Sequence, residues 1–416
     1  MNRVIKIFED TQQKVDLSEQ EKDDILSIKK IIGENNVILQ ADNKLLIRHY
    51  VGFVQVNKTR ILIYPKISRE ASYEEGYDKS FKILTKLLSY SDFYGVKKIS
   101  STQGFESCND DLLELFIRLF VDEILFEFKR DINRGYNKRI ENQSFIKGKV
   151  DFSETIKRNS FKKHIHFVNY DEFDENTILN QIFKSIIQRL IIRTRLKSNK
   201  IKLKQALLWL EDVKSISLNK KTWDLVKFNR YNFKYEPLFN LAKLFYYNSG
   251  PNLNKGDEYT FSFLVPVNQL FEKYTYEVMS RNISKNYSVK YQGPSKYLAN
   301  VNNKQKFLLR PDITIFENNN IRFIIDTKYK KASMEEGKLQ ISQSDIYQML
   351  AYGVRYKCNN IILIYPMFLG DNKEEVLLSE IDIESHNNIV NIKVIKIDLE
   401  LDPKNLYEIL EDIFKL

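Results

Sequence analysis

The residues best placed to do chemistry in this chain are two aspartates and a lysine. In "LLRPDITIF", residues 308–316, Asp312 follows a proline; in "IIDTKYK", residues 324–330, an apolar strand runs straight into Asp326-Thr327-Lys328. Residues two apart on a strand project to one face, so Asp326 and Lys328 point together while Thr327 points away. Asp312 lies fourteen residues before Asp326, in the other strand of a hairpin turned by Asn318-Asn319-Asn320, and reaches the same side. Two carboxylates and an ammonium at one sheet edge are costly to bury unless they are paired or bind a metal. Hard carboxylate oxygens suit Mg²⁺, with Mn²⁺ able to substitute, and such an ion keeps waters and accepts a substrate phosphate. A neighbouring lysine can orient or deprotonate a water and offset charge on a pentavalent phosphorane. The plain alternative is an Asp–Lys ion pair at a strand end, with Asp312 as a turn residue. The second carboxylate between two apolar strands tips the balance towards a metal site.

Two flanking segments extend the constellation. "QLFEKY" places Glu272 on the helix before the sheet, from which a third carboxylate can reach the metal; an exposed helix glutamate is the plainer reading. In "SDIYQMLAYGVRY", Ile346, Met349, Leu350 and Gly353 form the packed stripe of a helix. Gln348 and Tyr352 are four apart, and Arg355 continues their face. An amide, a phenol and a guanidinium there suit phosphate or sugar contacts, and Lys330 is grouped with them as a DNA contact. A surface face without a role is the competing reading.

The elements that must position these groups fall into three stretches. Residues 1–108 read as β-rich: "VGFVQVNKTRILIYPKI" alternates apolar and polar positions and suggests a hairpin ending at Pro65. Residues 109–247 switch to helical periodicity, with helices from Leu112, after "YDEFDEN" (Asp174 or Asn176 as N-cap) and over about 203–213. This stretch is basic: seven cations from Arg189 to Lys204 occur with no acid among them, a solvated face or a contact surface. "NSGPNLNKGDE", residues 248–258, reads as a boundary. Residues 248–416 then alternate helices and strands as a mixed α/β domain, opening with a helix over about 264–282.

Composition narrows the class. A chain of 416 residues that is 43% hydrophobic and 13% aromatic is folded, not disordered. Its net charge of +10 and pI near 9.1 suit a polyanionic partner such as DNA. Cys108 and Cys358 stand far apart, in no zinc spacing, which predicts a reducing, cytoplasmic setting. No apolar run reaches membrane-spanning length, and no membrane role is expected. His49, His164, His166 and His386 form no catalytic cluster in the sequence, and G-x-x-x-x-G-K-[ST] is absent, so no bound nucleotide is expected.

Taken in order, Glu272, Pro311-Asp312, Asp326-Thr327-Lys328 and Gln348-Met-Leu-Ala-Tyr352 resemble the PD-(D/E)xK nuclease superfamily, with a Q-x-x-x-Y element similar to that of its RecB-like branch. More closely, the chain resembles McrC, the nuclease subunit of McrBC-type modification-dependent restriction systems. The resemblance spans nearly the whole length, through "RGYNKRIENQSFIKGKVDFSETIKRN", "YDEFDENTILNQIFK" and "FSFLVPVNQLFEKY". It departs from the family pattern at Pro266-Val267, where an Asp-Met pair is expected. It implies a restriction-endonuclease-like C-terminal domain in which Asp312, Asp326, Lys328 and Glu272 are catalytic, the three carboxylates binding Mg²⁺. A hexameric McrB-like AAA+ GTPase would supply target recognition and be stimulated by the N-terminal part, with the β-rich docking domain of residues 1–108 and the basic stretch "KRDINRGYNKR" as the places to seek the contact. Two readings compete: a RecB- or Cas4-like exonuclease, whose iron–sulfur members need four cysteines, and a non-catalytic DNA-binding assembly subunit.

Overall fold

A computed structural model describes residues 3–56, 59–69, 73–91, 111–247, 249–251, 259–385 and 388–414. Cys108, His386, the Asn57-Lys58 turn and most of the 248–258 boundary lie outside the described residues. The chain divides into two compact units, one of residues 1–101 with 251–416 and the other of residues 102–250. This is not the three-part division expected from sequence. The N-terminal β-rich segment and the α/β segment share one unit because strand Tyr259–Pro266 pairs antiparallel with strand Tyr50–Val56, Phe263 opposite Phe53 and Leu264 opposite Gly52. The helix expected from 264 therefore begins at Val267.

In the first unit, strands Tyr50–Val56 and Thr59–Tyr64 form the expected hairpin ending at Pro65. Strand Arg3–Phe8 lies parallel to Thr59–Tyr64 on its far side. Helix Glu19–Ile32, which opens on a Ser18/Glu21 capping box, covers a face made of Ile5, Ile7, Val54, Ile61 and Ile63. A second helix, Tyr73–Tyr90, was not legible in the sequence.

This unit also holds a six-stranded mixed sheet. Its strands run in the order Tyr287–Tyr291, Ile313–Glu317, Asn320–Thr327, Asn360–Pro366, Asn388–Ile397, Leu377–Ser385. The first three are antiparallel neighbours; Asn320–Thr327, Asn360–Pro366 and Asn388–Ile397 are parallel. Parallel neighbours need a crossover, and helix Gln343–Tyr356 supplies it between the third and fourth strands. Its face buries Met349, Tyr352 and Tyr356 against Ile324, Ile361, Leu363 and Val394. Gly353 is required on that face: a Cβ there would come within 2.7 Å of Val390.

The second unit is helical at its centre. Phe120 of helix Leu112–Arg130 packs edge-on against Phe183 of helix Ile178–Arg193 and Phe245 of helix Glu236–Tyr247. The N-cap of Ile178–Arg193 is Thr177, not Asp174 or Asn176; Asp174 instead accepts from the Asn176 backbone N–H. The expected helix over 203–213 spans Lys197–Leu208. The sequence reading missed a three-stranded sheet of Gly135–Gln143, His166–Asp174 and Lys149–Val150, with helix Phe152–Asn159. Among the described residues, no helix is long and apolar enough to cross a membrane.

Candidate active site

Strand register brings the two aspartates to one sheet edge. Ile313 pairs with Ile325, Asp312 immediately precedes the first and Asp326 immediately follows the second. Asp326 also sits opposite Leu363 of a parallel strand, so the carboxylates occupy the carboxyl end of the parallel core. Open α/β sheets place their ligand crevices at this end.

Asp326 is 1% exposed, and its Oδ2 is ion-paired with the Lys328 ammonium. Burial first, and then the charge of Asp312, push the Asp326 carboxyl up to about 7. Asp312 is raised too, chiefly by burial, although Thr327 opposes this by donating both its backbone N–H (2.7 Å) and its Oγ1–H (2.8 Å) to Oδ2. Thr327 points away from Asp326 as the strand alternation requires, yet it fixes the other aspartate. Burial draws the Lys328 pKa down, but the adjacent Asp326 more than offsets this and raises it, keeping the side chain an ammonium. That state suits charge neutralisation better than proton abstraction.

Glu272 stands on helix Val267–Asn282, half-buried, accepting from Gln292 Nε2 at 2.9 Å. Burial and then Asp312 raise its carboxyl to about 7. Gln292 also donates its backbone N–H to the Asp312 carbonyl at 2.7 Å, tying the two acidic residues together. Gln292 carried no motif signal in the sequence; its φ of 49° is a feature of three dimensions only. Arg310 was also missed, although its charge acts on both Glu272 and Asp312.

Behind these groups runs a chain of hydrogen bonds. Lys328 Nζ donates to Gln348 Oε1 (3.1 Å), Gln348 Nε2 donates to the Tyr352 hydroxyl (2.9 Å), and Tyr352 donates to the Arg310 carbonyl (3.1 Å). Tyr352 is 2% exposed, so its phenol braces the site from behind and does not face a ligand as the sequence reading expected. Arg355 is exposed but donates to the Tyr297 carbonyl at 2.6 Å. Lys330 is ion-paired with buried Asp345 at 2.6 Å while keeping much of its surface exposed.

Among the described residues, no three His, Cys, Asp or Glu side chains close into a ready-made metal group. The donor chemistry nonetheless fits a hard divalent cation. Asp326, Asp312 and Glu272 bring carboxylate oxygens to one edge, and the charge of Asp312 raises the pKa values of both Asp326 and Glu272. A cation would relieve that repulsion.

Comparison with known proteins adds an independent line. Residues 45–366 match the family model described as McrBC 5-methylcytosine restriction system component. The Escherichia coli K12 protein described as type IV methyl-directed restriction enzyme EcoKMcrBC is 25% identical over 273 residues, covering 62% of this chain and 77% of that protein. A chain in the Thermococcus gammatolerans half-complex of McrB AAA+ hexamers with bound McrC superposes with a TM-score of 0.76 at 20% identity, covering 99% of this chain and 100% of the other. A chain of the McrBC complex from the same organism gives 0.52 at 22% identity, over 68% and 88%. The family match covers well over half of the sequence. The chain belongs to the family of McrBC 5-methylcytosine restriction system components.

Proposed function

We infer that this protein is the McrC-like nuclease subunit of a restriction system, hydrolysing DNA phosphodiesters at the Asp312–Asp326–Lys328 edge of a PD-(D/E)xK fold. The observation that carries this reading is that the Ile313–Ile325 register brings buried Asp326 and half-buried Asp312 to one edge, with an ammonium held between Asp326 and Gln348. A Mg²⁺ ion held by Asp312 and Asp326, with Glu272 beside them, would supply Lewis-acid stabilisation of phosphate charge and acidify an attacking water. Lys328 neutralises charge building on a non-bridging phosphate oxygen. Gln348 and Tyr352 fix Lys328, and Gln292 and Thr327 fix Glu272 and Asp312. Arg310, exposed at the acidic edge, receives the DNA backbone; Lys330 and Arg355 extend that basic border.

A McrB-like AAA+ GTPase completes the assembly. Its docking surface on this chain is the small sheet and helix within residues 135–174, where Phe145, Ile146, Phe152, Ile156 and Phe161 are all at least 60% exposed. Apolar exposure of that extent marks an interaction surface. The test is incubation of closed circular DNA with this chain, the GTPase and GTP, with and without Mg²⁺. Linear product that requires the cation supports the reading. Cutting confined to pre-linearised DNA would favour an exonuclease, and binding without cutting an assembly subunit.

A further inference from the structure

We propose that the hairpin of strands Lys296–Val301 and Lys304–Leu309 is a duplex-gripping ribbon that inserts into a DNA groove beside the cut site; this rests on the nuclease reading above. Among the described residues the two strands pair with no strand but each other, so the ribbon extends no larger sheet. Every residue from Tyr297 to Leu308 is exposed, and five of them are large and apolar: Tyr297, Leu298, Val301, Phe307 and Leu308. An isolated two-stranded ribbon is marginal in water, and an apolar surface exposed on both faces is costly to maintain. Something covers it in use.

Charge says what. From Lys296 to Arg310 there are four cations, Lys296, Lys304, Lys306 and Arg310, and no acidic residue. Lys304 lies opposite Val301 and Lys306 opposite Ala299, so both lysines stand on one face of the ribbon. A second copy of the chain would set like charges against each other, whereas a polyanion would be attracted. The dimensions agree: six residues extend about 20 Å, and the major groove, roughly 12 Å wide, admits a two-stranded ribbon.

The ribbon is also fixed to the catalytic edge. The one Tyr356 hydroxyl proton is shared between the carbonyls of Pro294 (2.6 Å) and Leu309 (2.9 Å), and Arg355 donates to that of Tyr297. The same helix carries Gln348, which holds Lys328. The second strand leads through Arg310 and Pro311 to Asp312, so a groove contact along the ribbon sets which phosphate reaches the carboxylates. At the tip, Asn302 and Asn303 form a tight turn with φ of 50° and 63°.

The test is the Lys304→Gln/Lys306→Gln double variant of the full chain, with a 30-base-pair duplex in EDTA so that binding is read without cleavage. Loss of two phosphate contacts should lower the slope of log affinity against log salt by about 1.8 and weaken binding roughly tenfold or more at low salt. Both side chains are exposed, so the thermal midpoint should stay put. Unchanged affinity and slope, a wild-type chain that ignores DNA, or a variant that alters only self-association in sedimentation would each overturn the ribbon assignment. The nuclease reading fails separately, if wild-type protein binds the duplex with the salt slope intact yet leaves it uncut with Mg²⁺, the GTPase and GTP.

Discussion

Glu9→Gln should flatten the pH dependence of stability. Glu9 follows strand Arg3–Phe8 and is 0% exposed, with Asp10 and Lys66 beside it and Lys66 Nζ 3.8 Å from its Oε2. Tyr329, one residue beyond Lys328, is buried close by; Lys66 Nζ stands 5.4 Å from the centre of its ring. Burial pushes the Glu9 carboxyl to about 8, against an ordinary value of 4.5, and the nearby Lys66 only partly offsets this. The folded state therefore binds more protons than the unfolded chain between those values. The stabilisation is fully present below about pH 4.5 and is lost as pH rises to about 8. At 1.36 kcal/mol per pH unit the loss is capped at about 5 kcal/mol across the window. Glutamine keeps the shape but cannot ionise. Urea unfolding at pH 5, 7 and 8.5 followed by far-UV circular dichroism should show the variant gaining on the wild type as pH rises. Tryptophan fluorescence reports the other unit, since Trp209 and Trp223 both lie within residues 102–250. Parallel pH profiles, or a variant less stable at pH 8.5, would refute this and mean that Glu9 is folded as an ion-paired carboxylate.

Gly52→Ala should destabilise the first unit by on the order of 4 kcal/mol, because Gly52 has a φ of 131° and a Cβ there would stand 1.9 Å from the Phe263 carbonyl oxygen; a midpoint unchanged in urea would deny the strand pairing. Lys328→Met should slow cleavage by roughly a hundred- to a thousandfold, whereas Gln348→Ala should cost roughly tenfold by loosening Lys328, as single-turnover rates would show. Tyr352→Phe leaves the Arg310 carbonyl without its donor and should cost about 1–2 kcal/mol of stability, read from the thermal midpoint. A fragment starting at 257 keeps the acidic site but loses the partner strand that buries Phe263 and Val265, and should aggregate or show weak amide protection.

The meeting of Asp312, Asp326 and Lys328 at one sheet edge was legible because its signals are local. An apolar run ending in D-x-K fixes which side chains share a face, and a turn of asparagines returns the chain so that Asp312 meets Asp326. The missing pieces are non-local or have no periodic signature. Pairing of Tyr259–Pro266 with Tyr50–Val56 joins segments about two hundred residues apart, so punctuation at 248–258 looked like a domain boundary. The ribbon at 296–309 is exposed on both faces and leaves no alternation to read. Gln292, Thr327 and Arg310 act through backbone geometry and proximity. Helical spacing grouped Tyr352 with Gln348 and Arg355, but the tight approach at Gly353 sinks that part of the helix into the core and turns the phenol into a brace.

The central claim is that Asp326 and Asp312 together serve metal-dependent DNA hydrolysis. The most direct measurement is cleavage of closed circular DNA by wild type and Asp326→Asn in parallel, across a Mg²⁺ titration, with the GTPase rate of the partner recorded in the same tubes. Asparagine keeps the size of the side chain and removes the carboxylate. The account predicts cation-dependent linearisation by wild type, none by the variant, and equal GTPase stimulation by both. Cleavage by Asp326→Asn at the wild-type rate, or undiminished wild-type cutting in EDTA, would contradict it.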